Sequence, residues 1–213
     1  MSTRMILSTA GRLVGAAACV ISLASCGGEM LRTGRAPMFL VIGSMSASAG
    51  GATSGAGSAF LLSDVQTLVD QTIGGVTVKV PTVFNDSATA AIQAIAKNPA
   101  ATATEINTIT LTRYRVAFFR TDGRNTPGVD VPYGFDGGLG ISIGPNGSSN
   151  VAFEIVRHQS KLEPPLKNLV AGGGLGFIST IAEVTFYGHD QNGNEVTVTG
   201  RIDVQFGDFG DES

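Results

Sequence analysis

The chain has 213 residues, a net charge of −3 and 43% hydrophobic residues, and without its first 25 residues, which hold Arg4 and Arg12 but no acid, the charge becomes −5. No cluster of Lys or Arg appears, so nucleic acid, whose binding rests on phosphate neutralisation, is excluded as an expected partner. Both cysteines, Cys19 and Cys26, lie near the N-terminus, which excludes a disulfide framework from the rest of a chain long enough for one sizeable β domain or two small ones.

The first 25 residues read as an export signal: Arg4 and Arg12, an apolar stretch from Leu13 to Leu23, then small residues. That stretch is short of the ~20 apolar residues that span a bilayer. Leu23-Ala24-Ser25-Cys26 resembles the lipobox of bacterial lipoproteins. The resemblance implies that the Cys26 thiol takes a diacylglycerol, that cleavage leaves Cys26 as the new N-terminus, and that three acyl chains anchor it, where one chain alone binds only marginally. In such proteins from two-membrane bacteria an aspartate after the cysteine favours inner-membrane retention. Gly27 stands there instead, which implies the outer membrane if the source has one. The expected address is the bacterial cell envelope, with the membrane engaged through the N-terminal lipid.

From Cys26 to Pro37 the chain has no hydrophobic period and reads as a flexible tether, so the domain begins near Met38. The tract "GSMSASAGGATSGAGS", Gly43 to Ser58, is too poor in large apolar groups for a core and reads as a long mobile loop between the runs "MFLVI" and "AFLL", with an interdomain linker as the alternative. Period-two patterns rich in Val, Ile, Thr and aromatics then predict strands at Val76 to Val80, Ile109 to Arg120, Asn150 to Val156, Ala182 to Tyr187 and Glu195 to Phe206. In the last, Val196, Val198, Ile202, Val204 and Phe206 share one parity while Thr197, Thr199, Arg201, Asp203 and Gln205 share the other, as in an antiparallel sheet with one wet face. The alanine-rich stretch Ser87 to Pro99 reads as a strand because its neighbours are strands, with helix the alternative. Pro164 to Val170 predicts a helical turn. The glycine runs "GGLGISIG" and "AGGGLG" read as turns and not as phosphate cradles, and His158 and His189 read as surface residues at strand ends.

These patterns predict an all-β fold, an antiparallel sandwich of the immunoglobulin type with about seven to nine strands and one short helix in a connection. Residues 184–206 resemble the closing strand pair of bacterial immunoglobulin-like domains, with Asp190, Gly193 and Asn194 in the connecting turn. Arg120 to Gly138 is similar to a segment of uncharacterised bacterial lipoproteins that share the lipobox and the closing hairpin. Neither resemblance implies an activity.

Asp190, Asn192 and Asn194 match the opening of a calcium loop, but Glu195 stands where its glycine belongs and Arg201 where its bidentate glutamate belongs. The turn is read instead as a tight hairpin in which Asn192, Gly193 and Asn194 supply positive φ. A calcium site pooled from Asp190, Glu195, Asp208 or Asp211 is the weaker alternative, and no cofactor is expected. Nucleophile, metalloprotease and P-loop motifs are missing from the sequence. Asp130 and Asp136 are the one pair of carboxylates that would suit a hydrolase of envelope glycan or lipid.

The connection from Arg120 to Gly138 exceeds the ~12 to 15 residues beyond which structureless connections are uncommon unless functional or disordered. It carries Arg120, Arg124, Asn125, Asp130, Tyr133 and Phe135, of which arginine and tyrosine are enriched at binding hot spots. The competing expectation is a crossover whose Arg and Asp satisfy one another and whose aromatics plug the sandwich end. Together these features predict a lipid-anchored binding or structural module with an envelope protein or glycan as partner.

Overall fold

The computed structural model describes residues 34–51, 57–172 and 176–209. The export signal, Cys26 and Asp211 lie outside them. Two sheets form a sandwich. One has three strands, β1 (Met38–Ser48), β5 (Asp86–Ala96) and β8 (Ser148–Val156), in the order β1-β5-β8. The other has five, β2 (Phe60–Asp64), β6 (Ile109–Phe119), β7 (Phe135–Ile143), β9 (Phe177–Asp190) and β10 (Glu195–Gly207), in the order β2-β10-β9-β6-β7. The remaining pair, β3 (Thr67–Ile73) and β4 (Val76–Thr82), forms a separate two-stranded ribbon, here called the arm. A four-residue helix α1 (His158–Lys161) and a 3-10 turn at Leu166–Gly172 fill the connection from β8 to β9.

The fold is thus the expected all-β sandwich, and β9 and β10 pair as an antiparallel hairpin. One contact departs from the antiparallel expectation: β2 runs parallel to β10, because the chain leaves the three-stranded sheet after β1 and crosses to the edge of the other sheet.

Alternation places the core. Along β10, Val196, Ile202, Val204 and Phe206 are buried, and Thr197, Thr199, Arg201 and Asp203 face water. The alanine-rich stretch is strand β5: Ala88, Ala90, Ile92 and Ala94 are buried on one parity, and pairing with both β1 and β8 outweighs alanine's preference for helix. Between the sheets Tyr114 contacts the rings of Phe135, Phe153 and Phe186, and Phe118 packs edge-on against Phe206.

Three expectations need correction. Gly43 to Ser48 belong to β1: ladder pairing of Ser44 to Ser48 with Ser87 to Ala91 holds this stretch extended, and Ala47 also pairs with Ser58. Residues 52–56 of that tract lie outside the described residues. Gly137 to Ile143 are strand and not turn. A Cβ on Gly137 would lie 2.2 Å from the Tyr114 ring, so glycine there lets the ring cross β7. The last of the tether residues are seated on the domain: Ala36 is buried and the Pro37 carbonyl accepts from the Lys97 amide at 2.9 Å.

The sandwich has two distinct ends. Met38 starts β1 opposite Ala96 and shares a small cavity with Val196 at the start of β10, so the chain enters at the end that carries the turn between Asp190 and Glu195. The connection after β6, the arm and α1 lie at the other end, since Phe119 pairs with Ile181 early in β9 whereas Ile109 pairs with Asp190. A strand of thirteen residues puts the two ends roughly 40 Å apart.

Candidate functional site

The connection between β6 and β7 runs from Arg120 to Gly134, four residues shorter than expected, and is bonded largely to itself. Asp122 accepts from the Arg120 guanidinium at 2.5 Å and from the Arg124 side chain at 3.3 Å, and from the Arg124 backbone N–H at 3.1 Å. Those donors, the Arg120 guanidinium foremost, hold the Asp122 carboxyl well below the usual carboxylate range, and the same contact raises Arg120. Asn125 Oδ1 accepts from the Arg120 backbone N–H at 2.6 Å, and Asp130 accepts from the Thr126 N–H at 3.2 Å. A tight turn follows, with Gly128 donating to the Val131 carbonyl at 2.8 Å.

The six residues predicted for recognition therefore separate. Arg120, Asn125 and Asp130 organise the loop, and Phe135 is buried against Tyr114 as the first residue of β7. That is a correction: Phe135 is core, because the strand begins two residues before the glycine run. Arg124 and Tyr133 remain outward, with the Arg124 side chain 65% exposed and Tyr133 56% exposed. The Tyr133 ring is braced against Gly128. Asp130 and Asp136 do not form a carboxylate pair over a cleft. Asp130 caps the loop, while Asp136 sits on the outer face of β7 and bonds Arg113 at 3.0 Å.

A buried polar node beneath this end was not anticipated. Asp86 accepts from Lys161 Nζ at 2.8 Å, Ser63 Oγ at 2.6 Å and the Gly50 N–H at 2.8 Å, and Lys161 is only 2% exposed. Burial pushes the Asp86 carboxyl up, against the pull of Lys161 and the other donors. The node ties β2, β5, α1 and the segment after β1 together. Just before α1, Arg157 stacks 3.9 Å over the Phe135 ring and donates to the Asp136 carbonyl, so the node holds α1 and α1 holds the base of the loop. With Ser63 and Asp86 wholly buried, its chemistry is that of a clamp. Asp86 was legible in the sequence, since it shares the inward parity of Ala88 and Ala90. Lys161 carried no such mark.

At the opposite end, a cleft of ≈ 380 Å³ on the outer face of the five-stranded sheet is lined by Arg113, Tyr187, His189, Glu195 and their neighbours. The Arg113 guanidinium lies 4.0 Å over the Tyr187 ring, and His189 Nδ1 is 3.0 Å from the Asp190 carbonyl. The turn beside it matches the hairpin expectation in part. Gly193 alone has positive φ (+80), and Asp190, fully buried, accepts from the N–H groups of Asn192 and Asn194 at 2.9 Å and from Asn194 Nδ2 at 2.8 Å. The carboxylate offered as a calcium ligand is thus the cap of its own turn. Asp208 follows β10 at the far end, so Asp190 and Glu195 cannot share an ion with it. Among the described residues no group of three His, Cys, Asp or Glu is placed to hold a metal.

His189 is exposed on the outer face of β9, and His158 opens α1 on the surface. No helix among the described residues is long and apolar enough to cross a membrane. Comparisons with protein families, curated proteins and solved structures found no match to this chain.

Proposed function

We propose that the chain is a lipid-anchored module of the bacterial cell envelope, held through Cys26, that works by binding an envelope protein or glycan through the β6–β7 loop. The observation that carries this reading is the polarity of the sandwich. The chain enters the domain at Met38, and the loop with Arg124 and Tyr133 outward lies at the opposite end. The sequence from Gly27 to Thr33 predicts a flexible tether, which over seven residues has an r.m.s. span of about 15 Å, less than the roughly 40 Å length of the sandwich. An anchor at Cys26 therefore keeps the entry end nearer the bilayer on average and presents the loop outward. The loop also arrives ordered, so little conformational entropy is lost when its two exposed side chains meet a partner.

Two measurements test this. Replacing Cys26 with serine should move the protein from the membrane pellet into the soluble fraction, and retention in the pellet after a high-salt wash would remove lipid as the anchor. Replacing Arg124 and Tyr133 together with alanine should abolish capture of the envelope components that the wild-type chain recovers. Recovery of the same set by the folded variant would remove the loop as the recognition surface.

A further inference from the structure

Midway along the outer face of the five-stranded sheet, polar side chains satisfy one another: Thr185 and Thr199 share a hydrogen bond at 3.0 Å, and Arg201 is bonded to Glu183 at 2.7 Å. At the entry end they do not. There Arg113, Tyr187 and Thr197 face one another across β6, β9 and β10, with His189 opposite Glu195 in the adjoining row. These side chains and Thr112 line the cleft of ≈ 380 Å³. The hydroxyls of Thr112, Tyr187 and Thr197 have no protein partner among the described residues.

Backbone geometry builds the cleft. The register of β6 shifts between Leu111 and Arg113 against both neighbouring strands, so two successive side chains, Thr112 and Arg113, turn outward where strict alternation allows one. Bulges of this kind re-aim side chains at functional sites. Gly188 lets β6 come close at this point, since a Cβ there would lie 2.5 Å from the Thr110 carbonyl oxygen. Arg113 is fixed from two sides: Asp136 accepts from Nη1 at 3.0 Å, and the guanidinium lies 4.0 Å over the Tyr187 ring. Its Nε and Nη2 donors are left for a ligand. His189 Nδ1 lies 3.0 Å from the Asp190 carbonyl, which can only accept. Nδ1 therefore carries the proton, and Nε2 is the ring atom left to meet a ligand.

The lining selects the ligand. Glu195 shares the cleft with Arg113, and Asp136 already bonds that guanidinium, so there is no surplus of positive charge to hold a phosphate or another anion. Hydroxyl, imidazole and guanidinium groups together suit a molecule that donates and accepts at many points. The Tyr187 ring adds an electron-rich surface for weakly positive C–H groups: Arg113 covers one of its faces, and across β10 stands only the short Thr197. A pyranose ring has both features, a rim of hydroxyls and flat C–H faces. The volume lies at the small end of ligand pockets, enough for on the order of one or two such rings. We infer that the cleft is a binding site for a neutral saccharide, with Tyr187 as the stacking surface and Arg113, His189 and the threonines reading hydroxyls. The site is separate from the β6–β7 loop, and the sugar belongs to a glycan chain or to a glycolipid headgroup.

The test follows the amide NMR spectrum of the full chain, purified in a detergent without a sugar headgroup. Cellobiose, maltose and the disaccharide of N-acetylglucosamine are added in turn, with glucuronate and inorganic phosphate as charged controls. At least one neutral disaccharide should shift the signals of Thr112, Tyr187, His189 and Thr197 saturably, with a Kd of about 1 mM or below. Tyr187→Ala and, separately, His189→Ala should each weaken that binding at least about tenfold, and an unchanged melting temperature verifies folding. Arg124→Ala with Tyr133→Ala should leave it intact, which separates this site from the loop. Displacement of the disaccharide by a soluble neutral glycan chain would identify a polymer as the source, and displacement by micelles carrying a neutral glycolipid would identify a headgroup. Displacement by neither would overturn the proposal. So would shifts produced only by glucuronate or phosphate, no shift at these residues with any of the neutral sugars, or binding indifferent to both Tyr187→Ala and His189→Ala.

Discussion

Two excursions of nearly equal length leave the same end of the sandwich, the loop of residues 120–134 and the arm of residues 67–82, and opposite physics orders them. The loop has no regular ladder. Its shape comes from side chains bonding to backbone, with Asp122, Asn125 and Asp130 each satisfying amides in their own segment, and from Val131 and Pro132 buried at its base. The arm has a complete register but only isolated contacts with other elements among the described residues. The loop is therefore ordered by its own side chains, and the arm by its ladder alone, with Ile73 and Val76 exposed. Polar side chains in the loop and β-branched ones in the arm produce that difference directly.

The largest loss is expected where the node beneath the loop is undone. Lys161→Met strands the Asp86 carboxylate without its cation and should cost about 3–5 kcal/mol of stability in denaturant titrations, with amide protection lost around Asp136 and unchanged in the arm. The double change Asp86→Leu with Lys161→Met should recover much of that loss, since a buried ion pair replaced by apolar groups is often neutral. The pH dependence has a definite sign. Asp86 already has a raised value, so its folded state takes up the proton more readily than the unfolded chain, and losing Lys161 raises it further. The deficit of Lys161→Met should therefore shrink as pH falls toward the ordinary 3.8 and be full at neutral pH. A deficit constant with pH would show that Lys161 acts through packing alone.

A second, smaller break is Gly137→Ala. The new methyl would meet the Tyr114 ring, the residue around which Phe135, Phe153 and Phe186 cluster. Overpacking of this kind costs roughly 1–3 kcal/mol, and the loss should appear in the melting temperature while the arm's exchange behaviour stays as it was.

The smallest effects sharpen the contrast. Arg124→Ala with Tyr133→Ala, and Ile73→Asp with Val76→Asp, alter only exposed groups, and each substitution should change the stability of the isolated domain by no more than ~0.5 kcal/mol. A large loss from the first pair would make the loop tip structural. The Asp122 carboxylate, followed by NMR, should titrate well below 3.8. Its ordering of the loop should persist above the ordinary carboxylate range and fade only as pH falls through the depressed midpoint.

Much of this architecture was legible in period-two alternation. β10, β9 and β6 declare their buried faces residue by residue, and β5 declares its own once Asp86, Ala88, Ala90 and Ile92 are read as one parity. What escaped was set by partners distant in sequence. β7 holds its glycines extended because Tyr114 crosses Gly137, and β1 runs through a low-complexity tract because β5 pairs with it. Lys161 is buried because Asp86 waits seventy-five residues earlier. In the candidate site, Arg124 and Tyr133 were legible as unexplained side chains in a long connection, whereas the burial of Phe135 depended on where β7 starts. Half of the arm was legible, since Val76 to Val80 reads as a strand and lies in β4, whereas "TLVDQTI" carries no such alternation, and the separation of the pair from both sheets emerges only in the structure.

The proposed anchoring at Cys26 would give the domain a direction, with its Met38 end toward the bilayer and the β6–β7 loop away from it. The most direct measurement places a fluorophore at Val129→Cys in the loop or at Gln191→Cys in the opposite turn of the lipidated protein, reconstituted on vesicles carrying a headgroup quencher. Clear quenching at position 191 and little at position 129 are expected of the anchored domain. Equal quenching at both, or stronger quenching at 129, would contradict that direction.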